Sequence, residues 1–270
     1  MSETPHHRGR VLIIAGSDSG GGAGIQADIK AVSALGGYAA TAITAITVQN
    51  TLGVTGIHAV PDQIIRDQMV AVLGDIGADV IKTGMLASRS VIENVVSVLD
   101  ELAGDIPLVV DPVMIATSGD ALVDDGTETV IREQLVPRAT LVTPNSDEAQ
   151  RLTGIAITDL HTQIEAAKAL REMGAQAALV KGGHLESPSV RDVLVSQRGL
   201  EIMERPRLDT PHTHGTGCTL ASATAALLAH GHSLADAVEQ AGDYLHEAIK
   251  RAPGFGKGHG PVDHMWVVRD

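Results

Sequence analysis

The sequence predicts an α/β fold, a mostly parallel central sheet with helices packed on both faces in three α/β/α layers. Short β-rich runs alternate with longer amphipathic runs from residue 11 onward, the rhythm of successive strand–helix units. The first run, Val11–Ala15, is apolar throughout, as expected of a strand buried on both faces. Glycine-rich stretches then follow strand ends, where sheets of this kind hold their ligands.

After Val11–Ala15 come a glycine-rich loop, Gly16–Gly24, and a helical stretch from Ile25 to Leu35 stopped by Gly36 and Gly37. Tyr38–Val48 reads as a second strand and Thr55–Ala59 as a weaker third. Pro61 opens a helix whose apolar positions Ile64, Ile65, Met69, Val72 and Leu73 recur at helical spacing. Asp79–Lys82, Leu108–Asp111, Thr140–Thr143 and Ala177–Val180 read as strands, with helices at Ser90–Leu102, Thr127–Leu135 and Gln163–Met173 between them. The rhythm breaks at Asp192–Ser196 and Leu200–Glu204, which flank Gln197-Arg198-Gly199 as an antiparallel hairpin would. Two helices, Thr219–Leu228 and Ser233–Lys250, precede a glycine-rich tail. No linker, charge block or fixed-period repeat divides the chain, so residues 1–10 read as a flexible N-terminal segment and residues 11–270 as one domain.

Of the 270 residues 44% are hydrophobic but only 1% aromatic, so the core must be built from Ala, Val, Leu, Ile and Met. Few rings also disfavour stacking recognition of single-stranded nucleic acid. Twenty basic residues against 33 acidic ones give a formal charge of −13, a field that repels nucleic-acid backbones and anionic lipid. An anionic ligand must therefore be held by a local device. The single cysteine, Cys218, permits no intrachain disulfide, which fits a reducing compartment. With no apolar signal core near the N-terminus and no apolar run of about 18 residues, the expectation is a soluble cytoplasmic protein with small-molecule partners, no nucleic acid and no membrane.

Four clusters carry the chemistry. Gly16–Gly24 contains five glycines between a buried strand and a helix and reads as a ligand-lining loop rather than a plain turn. Gly22-Ala-Gly-Ile-Gln-Ala27 satisfies a relaxed dinucleotide fingerprint, but the next strand ends in Val48-Gln49-Asn50 where a ribose-binding carboxylate belongs, which argues against NAD. Asp111-Pro-Val-Met114 puts a carboxylate at a central strand end, either for a hydrated magnesium or as a turn residue. Thr143-Pro-Asn-Ser-Asp-Glu148 sets Asn145 and Glu148 three apart at a helix start, which taken alone is a plain N-cap with acidic first-turn residues.

The fourth, His212-Thr-His-Gly-Thr-Gly-Cys-Thr219, runs into an Ala-rich helix. Gly215 and Gly217 free the backbone so that consecutive N–H groups can converge on an anion, and the helix dipole adds to this. Cys218 would stand in the first turn, where a thiol's pKa is lowered. His212 and His214 lack an evident third ligand for zinc. Lys181 and Lys257 are flanked by glycines that would let a phosphate approach, and the chain has no P-loop element.

Taken in order, Gly21-Gly-Ala-Gly-Ile-Gln-Ala-Asp28, Val48-Gln-Asn50, Lys82-Thr-Gly-Met85, Asp111-Pro-Val-Met114, Thr143-Pro-Asn145 with Glu148, Lys181-Gly-Gly-His184, His214-Gly-Thr-Gly-Cys218 and Gly256-Lys-Gly-His-Gly-Pro261 resemble the ribokinase-like superfamily. Within it they resemble the hydroxymethylpyrimidine/phosphomethylpyrimidine kinases of thiamine biosynthesis, and the resemblance covers residue 11 to about residue 261. It implies an ATP- and Mg²⁺-dependent kinase, acting on a hydroxymethyl group and then on the monophosphate formed, and a homodimer. Carried over by position, Gln49 would hold the pyrimidine, with Asp28, Gly16, Ala23, Met85 and Val48 around the same pocket. Asp111, Asn145, Glu148, Lys181 and Lys257 would serve the nucleotide phosphates, with Asp111 and Glu148 on the metal through water. Gly215, Thr216, Gly217 and Cys218 would form the anion hole, with Lys181 beside it and the Cys218 thiolate as base for the first transfer only. Many sugar kinases of the superfamily have an aspartate at this cysteine's position, which favours the pyrimidine branch. A pyridoxal kinase, which can share the cysteine, is the nearer alternative; a non-catalytic pyrimidine-binding module is the more distant one.

Overall fold

The structure, a computed structural model, describes residues 9–115, 125–185 and 187–269. The expected flexible segment lies outside these residues except for Gly9 and Arg10. Its boundary shifts by one residue, because Arg10 already pairs with Tyr38 and its guanidinium grips Asp79 at 2.7 Å.

Nine strands form one sheet among the described residues, in the order β3 (Gly53–Ala59), β2 (Tyr38–Asn50), β1 (Arg10–Asp18), β4 (Val80–Thr83), β5 (Leu108–Val110), β6 (Leu141–Val142), β7 (Ala178–Val180), β8 (Ser189–Ser196) and β9 (Gly199–Pro206). The six central strands run parallel, and β3, β8 and β9 are antiparallel at the two edges. The chain leaves β1 towards β2 on one side and returns on the other at β4, so the strand order reverses beside β1. At such a switch point the flanking loops diverge and open a crevice at the carboxyl edge.

Side-chain alternation along the strands builds two cores. Leu12, Ile14, Ile81, Val110 and Val142 face one way, towards α2 (Asp62–Ala71), α3 (Arg89–Leu102) and α6 (Leu160–Glu172). Val11, Ile13, Val80, Val109 and Leu141 face the other, towards α1 (Gly24–Ala34), α7 (Thr216–Ala229) and α8 (Leu234–Lys250). Helix α7 is buried from Thr219 to Leu227. Its run of small side chains needs little space all round, and this lets a helix without a polar face lie against the sheet. The core is aliphatic, as the composition requires, with Tyr244 stacked on Trp266 at its border. No helix among the described residues is long and apolar enough to cross a membrane.

Two elements depart from expectation, and a third, expected only as a helix start, is a full helix. β1 continues through Gly16–Asp18, pairing Ser17 with Ile46 after a register shift, so the start of the glycine loop is strand. The helix expected at Thr127–Leu135 is α4 (Asp125–Val130) followed by a wider π-helical turn at Ile131–Leu135 and a tight turn at Val136–Arg138, where Pro137 has no N–H to continue the ladder. Behind Asn145 lies a full helix, α5 (Ser146–Thr153), closed at Gly154 with a φ of 75°.

Candidate active site

The crevice holds a cavity of about 540 Å³, walled by the ends of β1, β2, β4, β5, β6 and β7 and by the start of α7. Gly16, Ala23, Gln49 and Met85 line one end. Asp111, Asn145, Glu148 and Lys181 line the middle, beside residues 215–218. Beyond them the cavity runs on past Asp192, Arg205 and Arg207 to His246 on α8.

The first glycine loop is organised by a residue the sequence reading passed over. Asp18, at the end of β1 and 2% exposed, accepts the N–H groups of Gly20, Gly22 and Ala23 at 2.7, 3.0 and 2.8 Å. His214 Nε2 lies 2.9 Å from the same carboxylate. Burial alone would raise the Asp18 pKa, but the hydrogen bond to His214, the loop amides and the His214 charge together hold it below the ordinary carboxylate value. A carboxylate amid small residues reads in sequence as a turn former, and nothing in the order of residues says which amides it will collect.

At the acceptor end, Thr47 Oγ1 is 3.1 Å from Gln49 Oε1, and Gln49 Nε2 is 3.5 Å from His214 Nε2. These contacts set the planar amide against the cavity. A Cβ on Gly16 would lie 2.5 Å from the Met85 methyl, so a larger residue there would push the Met85 side chain aside.

The middle of the cavity sets one lysine against two carboxylates and is rich in unused donors. Gly215 caps α7 with a φ of 79°, and a Cβ at this position would sit 1.8 Å from Gly22 O, so only glycine fits. Thr216 N–H reaches back to Thr213 O at 3.3 Å. The amides of Gly215, Gly217 and Cys218 have no acceptor among the described residues. A Cβ on Gly217 would be 3.2 Å from Lys181 Nζ and 3.7 Å from Asp111 Oδ2, which places the helix start against both side chains. Lys181 bonds Asp111 at 3.2 Å. Burial works against its charge, but Asp111 and Glu148 outweigh burial and raise its pKa. Asn145 and Glu148 form a reciprocal cap on α5, Asn145 Oδ1 accepting from Glu148 N–H at 2.9 Å and Glu148 Oε2 from Asn145 N–H at 2.8 Å. Burial, with Asp111 adding to it and Lys181 opposing, pushes Glu148 up to about 7.

Four expectations are corrected. Asp28 does not line the cavity: it is wholly buried on α1, bonded to Lys82 at 2.8 Å and Ser222 at 2.7 Å. Val48 is 63% exposed on β2 and points away, because strand alternation sends it to the face opposite Gln49. Lys257 is exposed and off the cavity; its backbone N–H is tied to Thr51 Oγ1 at 3.2 Å, on the turn between β2 and β3. Cys218 does stand in the first turn of α7, but its thiol is pushed up to about 12 rather than lowered. Burial is the largest cause; Lys82 opposes it, while Asp28 and Asp111 reinforce it. His214 turns to Asp18, and no group of three His, Cys, Asp or Glu side chains placed to hold a metal occurs among the described residues.

A sequence profile of the phosphomethylpyrimidine kinase family matches residues 18–263. The chain is 48% identical over 266 residues to the thiamine biosynthesis bifunctional protein of Geobacter sulfurreducens, covering 98% of this chain and 54% of that longer protein. It is 47% identical over 258 residues to the hydroxymethylpyrimidine/phosphomethylpyrimidine kinase of Mycobacterium bovis, covering 95% of this chain and 94% of the relative. The fold also matches the Staphylococcus aureus pyridoxal kinase in complex with AMP-PCP and pyridoxal, with a TM-score of 0.88, 33% identity and coverage of 96% and 94%. With the profile spanning most of its length, the chain belongs to the phosphomethylpyrimidine kinase family.

Proposed function

We propose that this chain transfers the terminal phosphoryl group of ATP to 4-amino-5-hydroxymethyl-2-methylpyrimidine, and then a second phosphoryl group to the monophosphate so formed, on the way to thiamine diphosphate. The observation that carries the reading is one cavity with two unlike ends. Gln49 offers an amide donor and acceptor to a ring nitrogen and amino group. The same cavity holds the amides of Gly215, Gly217 and Cys218, which have no acceptor among the described residues, with Lys181 beside Gly217.

Phosphoryl transfer asks the protein mainly for alignment and for charge stabilisation at the equatorial oxygens. The three amides at the start of α7 would offer unused donors to an anion, and Lys181 adds a positive charge beside them. This local device overcomes the field of a −13 chain. With its thiol near 12, Cys218 keeps its proton in the resting protein. The acceptor hydroxyl therefore enters the first transfer protonated; as its oxygen bonds the phosphorus and the P–O bond to ADP breaks, its proton passes to an oxygen of the transferred phosphoryl group. In the second transfer the acceptor oxygen is an ionised phosphate and needs no base.

Magnesium fits the carboxylates here: Asp111 Oδ2 is buried without a hydrogen-bond partner, and Glu148 is a second hard oxygen ligand close enough to sense it. Asp111 and Glu148 would hold the ion, through water, while the nucleotide phosphates complete its shell. The ion would supply further charge neutralisation at the transferring group. A homodimer fits the exposed apolar side chains Ile46, Leu52 and Ile57 around the β2–β3 edge, and a cytoplasmic location fits the lone cysteine; sedimentation and fractionation check the two.

ATP consumption measured separately with the hydroxymethylpyrimidine, its monophosphate and pyridoxal tests the assignment. Turnover with the first two supports it; turnover with pyridoxal alone, or with none, overturns it. Gln49→Leu should weaken pyrimidine binding about tenfold or more while ATP binding stays within about twofold, since the amide touches only the acceptor. The first transfer should not accelerate tenfold per pH unit between pH 7 and 9; such a rise would show the thiolate acting as base.

A further inference from the structure

The fully buried cation at Lys82 has no place in the chemistry so far. It lies beneath the cavity floor: a Cβ on Gly84 would be 3.0 Å from the Ala15 Cβ and 3.1 Å from Lys82 Nζ, and both Ala15 and the next residue, Met85, face the cavity. Lys82 and Asp28 are each 0% exposed, and Lys82 Nζ donates to Asp28 Oδ1 at 2.8 Å. Ser222 Oγ donates to the same oxygen at 2.7 Å, leaving Asp28 Oδ2 without a partner.

Two helices meet in register around this pair. On α1, Gly24 and Asp28 are one turn apart; on α7, Cys218 and Ser222 are one turn apart. The Gly24 amide lies near enough to the Cys218 thiol to act on it, and Ser222 bonds Asp28 one turn further in. The ion pair therefore sits one helical turn below the open amides of residues 215–218. Four charged groups face the first turn of α7: Asp28 from α1, Lys82 from the end of β4, Asp111 from beyond β5 and Lys181 from beyond β7. On Cys218 the effect of Lys82 exceeds that of Asp28, so the pair presents its positive end to the loop.

We propose that Lys82, walled off from the substrates, is a positioning residue for phosphoryl transfer, a fixed positive charge held by Asp28 under the first turn of α7 that favours negative charge at the anion loop above it. A buried ion pair is a poor means of adding stability, since apolar side chains of similar volume often do as well. Its placement under the loop is explained by the field it directs. The role rests on the phosphoryl-transfer reading for its purpose, but not for its measurement.

Cys218 is the only cysteine of the chain and reports that field without background. The experiment compares iodoacetamide alkylation rates at fixed pH, without nucleotide or acceptor, in the parent, Asp28→Asn, Lys82→Met and the double variant. A directed field makes Lys82→Met about a hundredfold slower and Asp28→Asn about tenfold faster, equivalent to about two pKa units and about one. The double variant, which leaves no unpaired buried charge, should be slower than the parent and takes the place of Lys82→Met should that protein not fold. Faster alkylation in every variant would mean a loosened fold, and unchanged rates would mean no field at the loop; either overturns the proposal. In parallel, the double variant should lower kcat for the hydroxymethyl acceptor about tenfold with its KM within twofold, and a KM effect alone would also overturn it. Failure of the kinase reading would show separately, as no turnover in the parent whatever the alkylation rates.

Discussion

Two glycine-bearing loops lead into helices in this protein, one before α1 and one before α7, and they have opposite fates. Before α1 the amides of Gly20, Gly22 and Ala23 are already satisfied by Asp18, an anion supplied by the chain itself. Before α7 the amides of Gly215, Gly217 and Cys218 have no acceptor among the described residues, and Gly217 lies against Lys181. Glycine frees a backbone to bind an anion, but whether a loop serves as structure or as site depends on whether the fold delivers a carboxylate to it. The two loops also depend on each other, since Gly215 packs directly on Gly22 and His214 donates across to Asp18.

The largest effect should come from the contact between them. Gly215→Ala puts a Cβ against Gly22 O at a φ of 79°, so the loops must separate and the amides lose their aim. Phosphoryl transfer should fall about a hundredfold or more, measured as kcat/KM for either acceptor. A variant with near-parental activity would show that the close packing is not needed.

Asp18→Ala converts the first loop into a copy of the second by leaving three amides unpaired. Stability should drop by about 3 kcal/mol, read by urea unfolding. Sulfate should then raise the melting temperature of the variant more than that of the parent, because the anion replaces the missing carboxylate. An equal sulfate response in both proteins would break the comparison.

The carboxylates of the two regions should also titrate in opposite senses. The folded-state pKa of Asp18 is lowered, so the stability it contributes is present above its unfolded value and is lost as pH falls through the lower folded one. Glu148, raised to about 7, binds a proton more tightly when folded; its contribution is present below its unfolded value and is lost as pH rises through about 7. Melting curves from pH 5 to 8 should therefore decline less steeply for Glu148→Gln than for the parent.

The smallest effects belong to positions that the motif order placed at the site and the fold did not. Lys257→Ala and Val48→Ser should each leave kcat/KM within about twofold, as exposed side chains away from the cavity do. A tenfold loss in either would bring that residue back to the site.

Much of the fold is legible in the sequence. Burial on both faces makes Val11–Ala15 continuously apolar, and helical spacing marks α2 and α3, because both patterns follow from local geometry and the need to hide side chains. The hairpin of β8 and β9 is equally local. Less legible were α5, too short at eight residues to show a period, and the extension of β1 through Gly16–Asp18, which exists because β2 is there to pair with it. At the site, strand-end or helix-start position pointed to Asp111, Lys181 and residues 215–218, while Gln49, Asn145 and Glu148 were singled out by the resemblance; all of them line the cavity.

Sequence alone determined the layered α/β architecture, the aliphatic core, the acidic surface and the set of loops that gather at the carboxyl edge. Each is a consequence of residue type and periodicity. The fold decided which glycine loop stays open, that Asp28 and Lys82 lie under the floor, and that the Cys218 thiol is raised instead of lowered. Those outcomes depend on which distant groups come within a few ångströms and how much water they exclude, and energies of that kind belong to the packed whole.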